Sequence, residues 1–152
     1  MQRDKHHHIV IAVDGSDNSH RAVAYAGEFL SGLKGFTLTL LHVIHVTDED
    51  FLMAPTERNR WMRAEREKAA RWMAVYRQML IACGFTPPDI QIRTVEKSGP
   101  SLAQLVLDEM EDMDAGTIVV GRQGMSRKKA SLFGSVSKQI VSHARDCTVW
   151  VV

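Results

Sequence analysis

Residues 9–16 run Ile9-Val10-Ile11-Ala12-Val13-Asp14-Gly15-Ser16. The first five are apolar on both parities, so the strand they form is buried on both faces, as in a parallel sheet covered on two sides. Asp14, Gly15 and Ser16 are turn formers that end it. Ser16 or Asp17 is placed to cap a helix whose apolar positions Ala22, Val23, Ala26, Phe29, Leu30 and Leu33 recur at three- and four-residue steps. Gly32 and Gly35 mark its end. A second buried strand is expected over 36–45, with a mostly apolar tail, Leu41-His42-Val43-Ile44. The stretch 46–59 has acids, Pro55 and Thr56 but no clear period, and is expected to be a long loop.

The longest helical signal covers 57–82, with Trp61, Met62, Ala69, Trp72, Met73, Tyr76, Met79 and Leu80 along one broad face and Gly84 and Pro87-Pro88 closing it. Residues 90–95 set Ile90, Ile92 and Thr94 against Gln91, Arg93 and Val95, the alternation of a half-exposed or edge strand. Pro100 opens a third helix carrying Leu102, Leu105, Val106, Leu107, Met110 and Met113. Thr117-Ile118-Val119-Val120 is a fourth strand, 135–145 a fourth helix and 147–152 a fifth strand. Strands alternating with helices of this length require right-handed crossovers and a parallel sheet with helices on both faces, an α/β fold. Ligands of such sheets sit beyond the carboxyl ends of the strands. The turns after strands one and four are therefore the places to look for chemistry.

The 152 residues are 45% hydrophobic and 24% charged, which predicts one globular domain over 1–152 and excludes disordered and fibrous classes. Nineteen Lys plus Arg against 18 Asp plus Glu leave a net charge of +1, so no global field draws in nucleic acid or a membrane surface. Cys83 and Cys147 make no disulfide framework and fit a reducing compartment. Apolar runs fall short of the ~20 residues that span a bilayer. Residues 1–5 are polar and precede His6, His7 and His8, so no secretory core is expected and a cytoplasmic location is.

From Gly121 the chain reads Gly-Arg-Gln-Gly-Met-Ser-Arg-Lys-Lys-Ala-Ser-Leu-Phe-Gly-Ser-Val-Ser. Gly121 and Gly124 follow a buried strand directly, and Gly134-Ser135 stand where the next helix begins. Glycines let backbone N–H groups approach a ligand, and a helix start offers unpaired donors and the positive end of its dipole, so the segment suits phosphate. Ser135 and Ser137 add hydroxyls, and Arg122, Arg127, Lys128 and Lys129 lie in a stretch without an acid. A Walker A loop would place Lys-Ser or Lys-Thr after its last glycine, whereas Ser135-Val136 follow Gly134; a dinucleotide fingerprint would need more glycines than Gly15 in the first turn.

The spacing Gly121-x2-Gly124-x9-Gly134-Ser135 resembles the nucleotide-binding members of the universal stress protein family, as do Ala12-Val13-Asp14-Gly15-Ser16 and Leu41-His42-Val43. The resemblance covers essentially the whole chain. It implies three layers around a five-stranded parallel sheet in the order 3-2-1-4-5, of the adenine nucleotide alpha hydrolase-like type, and a ligand that is ATP or another adenine nucleotide, AMP or ADP. It puts Ala12, Val13, Asp14 and the Val43 backbone at the adenine and ribose side, with Val120 against base or sugar. Gly121 and Gly124 then line the ribose and phosphate path, and Gly134, Ser135, Val136 and Ser137 hold the phosphates. Ala12 stands where some relatives carry Pro. Asp14 also suits a divalent ion, Mg²⁺ or Mn²⁺, carried on the phosphates.

Other features have plainer readings. His6, His7 and His8 are adjacent at a strand start and cannot all face one metal ion; His42, His45 and His143 are separate and are expected to be satisfied histidines. The Trp and Met residues of the long helix are expected in the core or an interface, and its Arg and Lys residues alternate with Glu57, Glu65 and Glu67 as on a solvated face, not a nucleic-acid stripe. Acids Asp108, Glu109, Glu111, Asp112 and Asp114 are expected on the exposed side of the third helix. The closing run Thr148-Val149-Trp150-Val151-Val152 would be an apolar edge, expected to pair with the same strand of a second subunit, as in the family the chain resembles. The expected role is a stress-response module that binds nucleotide, orders residues 122–133 around it and presents the changed surface to a protein partner, with at most slow hydrolysis. The alternatives are a true ATPase or phosphotransferase acting through Asp14, and a nucleotide-independent dimeric scaffold.

Overall fold

The computed structural model describes residues 4–123 and 134–152. Five strands, β1 (His8–Ala12), β2 (Thr37–His45), β3 (Ile90–Lys97), β4 (Thr117–Val120) and β5 (Thr148–Val151), alternate with α1 (Asp17–Leu30), α2 (Pro55–Ala82), α3 (Leu102–Asp112) and α4 (Ser135–His143). The sheet order is β3-β2-β1-β4-β5 and every pairing is parallel. Alternate residues of the central strands feed two cores. Ile9, Ile11 and Val13 pack with Val23 of α1 and with Met73 and Leu80 of α2. Val10 and Leu41 pack with Val106 of α3 and Ile140 of α4 on the other face. This is the two-faced burial expected from the unbroken apolar runs, and it sandwiches the sheet between two helical layers.

Several boundaries differ from the sequence reading for local reasons. The stretch 46–59 is not all loop: Thr47 donates from its amide and its hydroxyl to Asp50, at 2.6 and 2.8 Å, a short 3-10 turn covers Asp50–Leu52, and α2 begins at Pro55. Proline at a helix start loses no hydrogen bond, so the residue taken for a loop marker is the first residue of the longest helix. In α3 the cap is Ser101, whose hydroxyl accepts from the Gln104 amide at 3.1 Å, with Pro100 just outside. The fourth helix ends at His143, two residues before Arg145.

Glu109 departs from its expected place on an exposed face. It is wholly buried, and its carboxylate takes Arg93 Nε of β3 at 2.5 Å together with the Lys97 ammonium. Burial alone would raise its pKa; the two cations hold it below the ordinary carboxylate value. The pairing ties α3 to β3, which is an edge strand as its alternation predicted, with Ile92 46% exposed. At the other edge lies β5, where Trp150 meets Phe29 of α1 edge-on at 5.2 Å and Phe29 stacks on Tyr25 at 5.8 Å.

Candidate functional site

Ala12, Leu41 and Val120 lie in one row of the sheet, because Ala12 pairs with both neighbours. The chain therefore leaves β1 and β4 at a common level while β2 continues past it. Beyond that level opens a cleft of about 390 Å³, within the range of small-molecule sites. Its floor is Ala12, Val13 and Asp14 after β1, Leu41, His42 and Val43 of β2, and Val120 and Gly121 of β4. Leu102 and Val106 of α3 form an apolar wall, Ser135, Val136 and Ser137 begin α4 beside Gly134, and Glu65, Lys68 and Trp72 of α2 form the opposite wall.

The first turn is held by its own side chains. The Ser19 hydroxyl donates to Asp14 Oδ1 at 2.7 Å and accepts from the Asp14 amide at 2.9 Å, and the Ser16 amide donates to the same Oδ1 at 3.0 Å. Ser16 caps α1 by accepting from the Ser19 amide, so the capping residue is Ser16, not Asp17. These bonds fix the Asp14 carboxylate at the cleft floor. Gly15 has φ +81°, a left-handed conformation that glycine adopts without cost, and a Cβ there would stand 2.7 Å from the Trp72 indole nitrogen.

The start of α4 differs from that of α1. Gly134 is the N-cap and brings no side chain, so the first-turn amides receive no N-cap bond. Among the described residues no side chain caps this end, and its positive potential suits an anion. The neck of the loop is closed by backbone bonds: the Gly134 amide donates to the Arg122 carbonyl at 2.6 Å, and the Arg122 amide donates to the Val152 carbonyl at 2.7 Å. Ser137, 3% exposed, donates its hydroxyl toward the same Arg122 carbonyl at 2.9 Å, with the Gly134 carbonyl at 3.1 Å. Its proton serves the neck, which leaves the hydroxyl oxygen rather than the O–H for any other partner.

Of the residues read from sequence, Ala12, Val13, Asp14, Val43, Val120, Gly121, Gly134, Ser135, Val136 and Ser137 all line the cleft. Arg122 does not; its described part in the site is the neck. Gly124, Arg127, Lys128 and Lys129 lie outside the described residues. Among the described residues no group of three or more His, Cys, Asp or Glu is arranged to hold a metal ion by itself. Sequence reasoning missed Ser19, His42, Glu65, Lys68, Trp72 and the α3 wall. Glu65, Lys68 and Trp72 recur at i, i+3 and i+7, a stripe along one edge of the apolar face of α2, and that spacing was the available signal.

His42 is the half-buried imidazole of the cleft floor. Its Nδ1–H donates to the Val13 carbonyl at 2.9 Å, which leaves Nε2 as the acceptor of the neutral ring, and the ring lies edge-to-face with Trp72, centroids 4.8 Å apart. Burial pushes its pKa below 6.5, against the opposing pull of the Val13 carbonyl, Asp14 and Glu65. The folded state thus resists a proton that the unfolded chain accepts, so this contribution to stability is whole above pH 6.5 and is lost as pH falls toward the folded value. Between pH 7 and pH 5, His42→Asn is expected to lose less melting temperature than the wild type, as measured by thermal unfolding at both pH values. Equal losses would show that His42 plays no part.

The sequence pattern of the universal stress protein family matches residues 5–152. A search of curated proteins finds no match. Among solved structures, the hypothetical protein MJ0577 is similar at a TM-score of 0.80 and 23% identity, over 98% of this chain and 96% of that one. A universal stress protein in complex with cAMP is similar at 0.70 and 22%, over 98% of each chain. One from Archaeoglobus fulgidus in complex with dAMP is similar at 0.63 and 21%, over 97% and 98%. These likenesses bear out the five-stranded parallel fold in the order 3-2-1-4-5.

Proposed function

Because this chain belongs to the universal stress protein family, we propose that its cleft captures an adenine nucleotide, ATP or else AMP or ADP, and that it acts in stress response as a nucleotide-dependent regulatory module. One observation carries the reading. An apolar wall suited to a base and an uncapped helix start suited to phosphate meet in a single cleft, at the carboxyl ends of β1, β2 and β4. The cAMP and dAMP held by two structures of the same fold are both adenine nucleotides, which supports this ligand class. ATP is favoured by the Gly121-x2-Gly124-x9-Gly134-Ser135 spacing.

Asp14 is the residue that would share Mg²⁺ or Mn²⁺ with the phosphates, since such an ion takes one or two carboxylates together with phosphate oxygens and water. Its Oδ1 already accepts two bonds, which hold the carboxylate in place at the cleft floor. The same residue is the candidate base for slow hydrolysis of ATP. The working unit of the proposal is a cytoplasmic homodimer joined through residues 148–152, and Phe29, 58% exposed beside Trp150, supports coverage of that edge. A protein partner would read the nucleotide state. No helix among the described residues is long and apolar enough to cross a membrane.

The test is to heat the purified protein, chromatograph what it releases, and titrate the emptied protein with ATP, ADP and AMP while following mass by light scattering. Adenine nucleotide released, or saturable ATP binding to a dimer, is expected. No release and no binding would overturn the nucleotide reading in favour of a scaffold, and a monomer at micromolar concentration would overturn the dimer. Several turnovers per minute, lost in Asp14→Ala, would replace the binding module with a true ATPase.

A further inference from the structure

The wall contributed by α2 holds a polar group, the Trp72 indole N–H, that has no hydrogen-bond acceptor among the described residues. Trp72 is half-buried and fixed on three sides: Gly15 lies against its indole nitrogen, the His42 ring is edge-on at 4.8 Å, and the Tyr76 ring is tilted at 5.6 Å. A buried indole N–H normally finds an acceptor, and a half-buried one at the edge of a cleft can take it from what enters. Among the described residues the Trp72 N–H has none, while the ring borders the cleft. A rigid donor without an acceptor, at the side of a ligand-sized opening, is the arrangement expected where the acceptor arrives with the ligand.

The position of the donor restricts which part of a nucleotide it can meet. Leu102 and Val106 are on the α3 side of the cleft, in the core shared with Leu41, Val43 and Val120, and that apolar side suits the faces of a purine. Trp72 is on the opposite side, against the turn that carries Asp14 and Ser16. A base seated on the apolar wall turns the sugar and phosphate oxygens toward the turn. We infer that Trp72 is a specificity-determining residue of the site: its indole N–H donates to a sugar hydroxyl or phosphate oxygen of the bound nucleotide, which makes α2 a third wall of recognition. The tight seat at Gly15 is what brings the indole nitrogen this close to the turn, and a side chain at that position would push it away.

This inference rests on the cleft binding an adenine nucleotide, and the experiment separates the two. The full chain labelled with ¹⁵N gives an indole N–H resonance for each of its three tryptophans, and the one missing from Trp72→Phe is that of Trp72. On adding ATP this resonance is expected to move downfield and to exchange more slowly with solvent. Trp72→Phe keeps a ring in the seat but removes the donor, and calorimetry is expected to show ATP affinity reduced by about tenfold, the worth of one good hydrogen bond. Adenosine affected to the same degree identifies a sugar hydroxyl as acceptor; an effect confined to AMP and ATP identifies a phosphate oxygen. Wild-type binding with a stationary Trp72 resonance, or with Trp72→Phe within about twofold of wild type, would overturn the inference alone, because twofold is less than one hydrogen bond. A wild type that binds neither ATP, AMP nor adenosine would overturn the proposed function itself.

Discussion

Gly134→Val is expected to abolish ATP binding while the protein stays folded. Gly134 has φ −64° and ψ 156°, an extended conformation that a β-branched residue adopts readily. Its amide keeps its bond to the Arg122 carbonyl after the substitution, so the neck of the loop remains closed. Gly134 lines the cleft at the start of α4, and a valine there is expected to crowd the approach of the proposed phosphates to the amides of Ser135 and Val136. Loss of that approach is worth at least about 3 kcal/mol, a rise in Kd of a hundredfold or more. Calorimetry with ATP on the variant, beside thermal unfolding, checks both halves. Binding kept within tenfold would move the phosphates away from α4, and a collapse of the melting temperature would show that Gly134 serves the fold instead.

The second large effect is on stability. Leu40, in the centre of β2, pairs with Ile11 on one side and Ile92 on the other, and it is fully buried in the core under α1 and α2. Leu40→Ala removes its packing and leaves a cavity that the flanking strands cannot close, at a cost of about 3–5 kcal/mol. For a chain of this size that lowers the melting temperature by roughly 10 °C or more. Denaturant unfolding of the variant at 25 °C gives the free energy directly. A loss under about 1 kcal/mol, well below what a filled core site costs, would mean that the core repacks around the gap. Because Leu40 is not among the residues lining the cleft, ATP affinity measured below the transition is expected to stay at the wild-type value.

The fold was legible because burial on two faces writes itself into sequence. The runs that became β1, β2 and β4 are apolar on both parities, and only a covered parallel sheet accepts that pattern. The alternation over 90–95 likewise identified an edge. What could not be read was decided by neighbours distant in the chain. Pro55 looks the same in a loop as at the first position of a helix, and Glu109 looks like any acid on a charged helix until Arg93 and Lys97 arrive from β3. Around the cleft, the turn after β1 and the glycines Gly121 and Gly134 were legible since their signals are local, whereas Val43 came only from the family resemblance. Trp72 and His42 were not: an aromatic on an amphipathic helix reads as core, and only the crossing of α2 over the first turn brings the indole to the cleft. Ser137 lines the cleft, but its proton is engaged by a carbonyl fifteen residues earlier in the chain.

The clasp between Arg122 and Gly134 has a consequence for how such a protein changes over generations. The bonds from the Gly134 amide and the Ser137 hydroxyl meet at one carbonyl, so the chain leaves the sheet and returns at a fixed point whatever residues lie between. Because closure entropy grows slowly with length, insertion or deletion between the two ends of this clasp adds little closure cost. Lineages built on this fold can change the length of that interval while the clasp keeps β4 and α4 joined at the same point.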